Sequence, residues 1–126
     1  MKKLILLFSH NITDEQKEDA KISFGVEQFN ALPDNLQTIW SNIPASLEDL
    51  SDYLQPVRDY LIDEVESDDM VLVQGDFGAT CAMASFIKSI GGEAIYATTK
   101  RNVEEKEIDG KIIKTSVFEH VRFRKF

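Results

Sequence analysis

Three short polar stretches carry residue types that can handle a phosphate ester: Ser9-His10-Asn11, Gly75-Asp76-Phe77-Gly78 running into Ala79-Thr80, and Thr98-Thr99-Lys100-Arg101. His10 is a residue type that can move a proton during phosphoryl transfer, and it also reads as a loop histidine making an ordinary surface bond. Lys100 offers a point charge and Arg101 a bidentate fork for phosphate or carboxylate, although both also suit a solvated strand end. The glycine stretch supplies backbone N–H groups which, at the amino end of a helix, favour an anion. Asp76 is the discordant member. Its carboxylate either accepts bonds from a ribose hydroxyl or a base amino group, or caps the helix behind the loop. The loop matches neither the dinucleotide GxGxxG pattern nor a Walker lysine loop, so it also reads as a tight strand-to-helix turn.

Other reactive side chains offer less. Cys81 is the sole cysteine, which excludes an intrachain disulfide and fits a reducing cytoplasm. It falls in the expected first helical turn after the glycine loop, as a dipole-stabilised thiol or as a small packing residue. Two histidines and one cysteine give no recognised metal-ligand spacing, so no metal and no cofactor is expected.

The flanking sequence must position these stretches. Leu4 to Phe8 and Met70 to Val73 are continuous apolar runs, as in strands covered on both faces of a parallel sheet. Thr13, with Asp14, Glu15 and Gln16 behind it, is a capping box that starts a helix reaching about Ser23, and Gly25 closes it. Val26 to Leu32 reads as a more exposed strand ending at Pro33-Asp34. Leu36, Ile39 and Trp40 suggest a short helical turn that Pro44 ends. Ser46 and Asp49 predict the start of another helix through Leu47, Leu50, Leu54, Val57 and Leu61. Pro56 kinks that helix or opens a fresh one. Ala79, Ala82, Met83, Phe86, Ile87 and Ile90 keep helical spacing up to Gly91-Gly92, and Glu93 to Thr98 is a further strand.

From Arg101 the period changes to two. Asp109-Gly110 between Val103 to Ile108 and Ile112 to Val117 marks a hairpin. Strict alternation would put His120, Arg122 and Arg124 on one face, and Val121 and Phe123 on the other with Lys125. His120 is expected to join a surface salt-bridge face. The fold class is therefore α/β: a Rossmann-like, mostly parallel sheet with flanking helices and a C-terminal β-hairpin. If the apolar strands are parallel, the three polar stretches meet at their carboxyl edge, where open α/β sheets bind ligands.

The 126 residues suit one domain, with 1–99 as the core and 100–126 as the hairpin extension. Residues 1–99 hold 6 Lys and Arg against 17 Asp and Glu, a net of −11, whereas residues 100–126 hold 8 against 5, a net of +3. Long nucleic acid would be repelled by the average surface, while a small anion could be drawn to the basic end. The five-residue apolar run after Met1-Lys2-Lys3 is too short for a secretory core or a membrane span, so no membrane partner is expected.

Several blocks together resemble a known group. Leu4-Ile5-Leu6-Leu7-Phe8-Ser9-His10, Ile39-Trp40-Ser41-Asn42-Ile43-Pro44, Val73-Gln74-Gly75-Asp76-Phe77-Gly78-Ala79-Thr80, Tyr96-Ala97-Thr98-Thr99-Lys100-Arg101 and Val117-Phe118-Glu119-His120-Val121-Arg122-Phe123 are similar, end to end, to the small CRISPR-associated family written Csx-twenty. That family commonly has an aromatic residue where this chain has Cys81. The resemblance implies a reduced CARF-like Rossmannoid domain of type III CRISPR systems. It further implies a cytoplasmic homodimer that binds cyclic oligoadenylate, typically cyclic tetra-adenylate, and cleaves it as a ring nuclease.

On that basis the expected reaction is attack of a ribose 2′-hydroxyl on its adjacent phosphate. Gly78, Ala79 and Thr80 N–H groups would hold a phosphate, Lys100 and Arg101 would meet the transition-state charge, and Ser9 or His10 would orient or deprotonate the hydroxyl. Asn11, Gly75, Asp76, Phe77, Thr98 and Thr99 would complete the binding surface. Two other readings stand beside it: a module that binds or sequesters the ring without cutting, and a flavodoxin-like domain for a mononucleotide or flavin.

Overall fold

The computed structural model describes residues 2–126, so Met1 of the charged amino-terminal flank lies outside the described residues. Nine elements follow the chain: β1 (Lys3–Phe8), α1 (Asp14–Phe24), β2 (Gln28–Ala31), α2 (Asp34–Ser41), α3 (Gln55–Glu64), β3 (Met70–Gln74), α4 (Phe77–Ser89), β4 (Glu93–Ile108) and β5 (Lys111–Lys125). The strands form one five-stranded sheet in the order β2-β1-β3-β4-β5. All neighbouring pairs are parallel except β4 and β5. This is the expected α/β class, mostly parallel with a C-terminal antiparallel hairpin.

The unbroken apolar runs arise because alternate side chains enter two different cores. Leu4 and Phe8 of β1 and Met70 and Leu72 of β3 pack with Ala20 of α1, Ile95 and Phe123. Ile5 and Leu7, with Val71 and Val73, pack on the other face beneath α2, α3 and α4, around Trp40, Leu61, Met83 and Ile87. At the amino edge, buried Asp69 accepts the Glu66 N–H at 2.8 Å and pairs with Lys3 at 3.4 Å.

Local signals explain most boundaries. The Thr13 hydroxyl accepts the Gln16 N–H at 3.1 Å while the Gln16 side chain accepts the Thr13 N–H at 2.9 Å, the reciprocal bonds of a capping box. Pro56 sits in the first turn of α3, where its missing N–H costs nothing, so a fresh helix begins there. The helix expected from Ser46 does not form. Asp49 accepts the Ser51 N–H at 2.7 Å, a local turn that competes with helical bonding, and residues 46–54 remain turns. Asp109 and Gly110, at φ 52° and 76°, make the two-residue β4–β5 turn, whose primed form needs positive φ at both positions.

β4 departs furthest from expectation. Rather than ending at Thr98, it continues unbroken to Ile108, because β5 pairs with it from Ile95↔Lys125 to Ile108↔Lys111 and no Gly or Pro interrupts the run. The extension is also less separate than expected: Phe123, near the end of β5, is 3% exposed in the α1-side core. Beyond Thr99 the paired strands leave the body as a two-stranded arm, exposed on both sides over most of its length.

Candidate functional site

The chain passes from β1 out to β2 and returns to β3 on β1's other side, so strand order switches between β1 and β3. Their carboxyl ends, in register at Phe8↔Gln74, therefore open a crevice. Two donors converge on one acceptor at its floor: the Ser9 N–H and the Trp40 indole N–H both donate to the Gln74 carbonyl, at 3.2 and 3.0 Å. This close approach of the indole explains Gly75. A Cβ there would lie 2.8 Å from Trp40 Nε1, so the glycine makes room for tryptophan.

Above this floor lies a cleft of about 570 Å³. It gathers Ser9, His10, Gly75, Asp76, Phe77 and Thr80 from the expected set, and adds Trp40, Ser41, Gln74, Tyr96 and Phe126. Two of the three polar stretches thus meet as anticipated. Asn11 does not join them; it lines two neighbouring depressions with Ala31 and Gln37, and His10, edge-on to Phe8 at 5.7 Å, borders these as well as the cleft. Among the described residues no cluster of three or more His, Cys, Asp or Glu could hold a metal ion, and no helix is long and apolar enough to cross a membrane.

The expected phosphate contacts need correction. Asp76 is the N-cap of α4: its Oδ2 accepts the Ala79 N–H at 3.0 Å, and its carbonyl accepts the Thr80 N–H at 2.9 Å. Those two donors are committed, and Ala79 itself is fully buried in the core. Of the first turn, only the N–H groups of Phe77 and Gly78 lack a partner among the described residues, and Gly78 faces a separate groove beside Asp49 and Arg58. Cys81 is the fifth residue of α4 rather than part of its first turn; it is free, exposed and on the cleft wall.

Thr98, Thr99, Lys100 and Arg101 form no loop at the crevice. They lie mid-strand in β4, held by the ladder to β5. The Thr98 hydroxyl donates to the Arg122 carbonyl at 2.9 Å and accepts the Arg122 N–H at 3.2 Å; the Arg101 guanidinium donates to Ser116 Oγ at 2.9 and 3.2 Å. Strand alternation puts Thr98 and Lys100 on the side of Tyr96, and Thr99 and Arg101 on the other. Lys100, four residues beyond Tyr96, is displaced along the strand by about 13 Å. The cleft lining therefore contains no Lys or Arg. The cationic cradle expected at the rim is not assembled within this chain.

His120 is also placed differently. A bulge between the pairs Thr98↔Arg122 and Thr99↔His120 inserts Val121 as an extra residue and reverses the alternation. His120 therefore faces the α1 side with Phe123, ring centres 4.7 Å apart, instead of sharing a surface with Arg124. Its side chain is 4% exposed, and Nε2 lies 2.7 Å from Asp19 Oδ2. Burial pushes the Asp19 carboxyl upward, but the Ser23 hydroxyl, the His120 bond and charge, and the Arg122 charge outweigh it and hold that carboxyl below its ordinary range. The His120–Asp19 contact is an internal clasp between α1 and the base of the arm.

Sequence reasoning had no role at the cleft for Tyr96, Phe126 or Gln74. The parallel ladder between β3 and β4 stops at Leu72↔Ile95, after which Gln74 Oε1 accepts the Ala97 N–H at 2.9 Å. A lone polar residue at the end of an apolar run is the only signal of that role. Tyr96 and Phe126 stack at 4.9 Å, a contact that depends on the β4–β5 register. Thr80 Oγ1 is buried with no hydrogen-bond partner among the described residues.

Residues 2–124 match the family described as Uncharacterized protein MJ1673 family, and the chain belongs to that family. It is similar to Uncharacterized protein MJ1673 of Methanocaldococcus jannaschii, with 45% identity over 126 residues that cover 100% of this chain and 98% of the relative. No solved structure matches the chain.

Proposed function

We propose that this protein is a metal-independent ring nuclease of the cytoplasm, one that binds a cyclic oligoadenylate such as cyclic tetra-adenylate and opens it, ending a type III CRISPR signal. One observation carries the reading: a single cleft at the strand-order switch is lined by Ser9 and His10 together with the rings of Phe77 and Tyr96. A nucleotide cleavage site needs a proton-moving group and a place for a base, and both are present. The resemblance to Csx-twenty supports the cyclic substrate, the CRISPR setting and the CARF-like assignment.

In the proposed step, the ribose 2′-oxygen forms a bond to the adjacent phosphorus while the bond from phosphorus to the next 5′-oxygen breaks. The 2′-hydroxyl proton passes to His10, with Ser9 orienting the hydroxyl, and the departing 5′-oxygen takes up a proton. The product end is a 2′,3′-cyclic phosphate, and two such cuts release linear di-adenylates. The free N–H of Phe77 lies in the first turn of α4, where developing negative charge is favoured.

A cleft of about 570 Å³ suits a ligand of one or two nucleotides, so a four-nucleotide ring calls for a second copy related by a twofold. Exposed Phe118, Val121 and Val117 on the arm support that homodimer, which would let Lys100, on the Tyr96 side of the arm, approach the ring. The absence of Lys and Arg from the cleft lining favours a second reading, a module that sequesters the ring without cutting.

Labelled cyclic tetra-adenylate, incubated in EDTA with sub-stoichiometric protein, separates these readings. Consumption of more ring than there are sites, lowered in single turnover by His10→Ala with little loss of binding, supports the nuclease. Stoichiometric binding without turnover supports the module, and absence of binding removes both.

A further inference from the structure

We infer that Phe77 together with the Tyr96–Phe126 pair forms an aromatic clamp for a purine base, so that the cleft holds a nucleotide by its base rather than by its phosphate. The inference rests on the nucleotide reading of this cleft, though not on cleavage.

Phe77 is the first residue of α4 and is 86% exposed, more than any other large apolar side chain described. No packing holds a phenyl ring there, and leaving it in water forgoes the gain of burying an aromatic surface. From a different element, Tyr96 presents a ring tilted 55° against Phe126, whose N–H donates to the Ala94 carbonyl at 3.0 Å and fixes its position. Trp40, at 1% exposure and with its indole N–H spent on Gln74, closes the floor beneath them and adds no polar group to it.

Charge excludes the usual alternative. A phosphate-anchored site draws on Lys or Arg, whereas this lining has none and contains the Asp76 carboxylate. A neutral, flat, π-faced ligand group suits such a surface, since base stacking on aromatic side chains needs no counter-charge. Thr80 lines the same cleft, its hydroxyl buried and without a partner among the described residues. Sugar and phosphate would then project from the mouth toward His10 and the arm.

Trp40 is the single tryptophan of the chain, so its fluorescence reports directly on the cleft. The full chain is titrated with adenosine 5′-monophosphate, ribose 5-phosphate and inorganic phosphate. Quenching by the nucleotide alone is expected. Phe77→Ala should weaken that binding roughly tenfold or more, and Phe77→Tyr should restore it, with unfolding midpoints unchanged because the ring is exposed. Equal binding of ribose 5-phosphate, no response to millimolar nucleotide, or a Phe77→Ala affinity within twofold of wild type would overturn the clamp.

The same variants assayed on cyclic tetra-adenylate separate the two proposals. Nucleotide binding that follows this pattern with no ring binding or cleavage leaves the clamp standing and removes the nuclease. Ring cleavage by Phe77→Ala at unchanged KM leaves the nuclease and removes the clamp.

Discussion

The two halves of β4 run through different surroundings. From Glu93 to Ile95 the strand pairs with β3, with Ala94 and Ile95 buried in opposite cores; from Lys100 onward nearly every residue is exposed and only β5 remains beside it. The body is held by side chains interdigitating from two faces. The arm has instead its backbone ladder and cross-strand pairs such as Lys114–Glu105 at 3.6 Å and Arg101–Ser116. An isolated two-stranded ribbon is marginal in water, and this one displays Val103, Ile112, Val117 and Phe118. The contrast teaches that the body builds the cleft, while the arm leaves apolar surface and charge facing solvent.

The largest effect that could break this contrast concerns stability. Trp40→Ala, emptying a buried indole site and removing one of the two donors to the Gln74 carbonyl, should cost about 3–5 kcal/mol in urea unfolding. Ile112→Ala on the arm should stay within about 0.5 kcal/mol. Comparable losses at both sites would mean that the arm folds as part of the core. Next in size, Phe118→Ser combined with Val121→Ser should weaken self-association at least about tenfold by sedimentation while leaving the unfolding midpoint of dilute protein in place. A chain already monomeric at every concentration would remove the dimer.

The smallest effect sharpens the junction. The folded Asp19 carboxyl titrates below its unfolded value, so its stabilisation is complete above the unfolded value and is lost as pH falls through the folded one. Urea midpoints should therefore drop below about pH 4 more steeply for wild type than for Asp19→Asn. Identical acid limbs would show that the Asp19–His120 contact does not secure the arm to α1.

The sequence was most readable where one local rule decides. The Thr13 capping box, the Asp109-Gly110 turn, the helical spacing after Ala79 and the apolar runs of β1 and β3 all formed as their chemistry demands. It misled where a partner strand or side chain intervened. Continuous pairing with β5 turned the Thr98–Arg101 stretch from a loop into mid-strand, and one bulge residue carried His120 to the opposite face. Half of the candidate site was visible because Ser9, His10 and Asp76 follow strand ends directly. Tyr96 and Phe126 were not, since only the strand register brings them together.

The extra residue at Val121 has a consequence for how this chain can change over generations. Because side chains alternate along a ribbon, balanced additions or losses of one residue in each strand beyond the bulge alter reach yet keep every nearer pair on its own side. Deleting Val121 would only straighten the ladder, since His120 would then follow Arg122 directly and still face Asp19; closing the bulge with the residue kept, so that Thr99 pairs with Val121, would instead rotate His120 out of its seat and invert every more distal position of β5. The pairing of Thr99 at this one point, and not the length of the arm, therefore decides which side His120 faces.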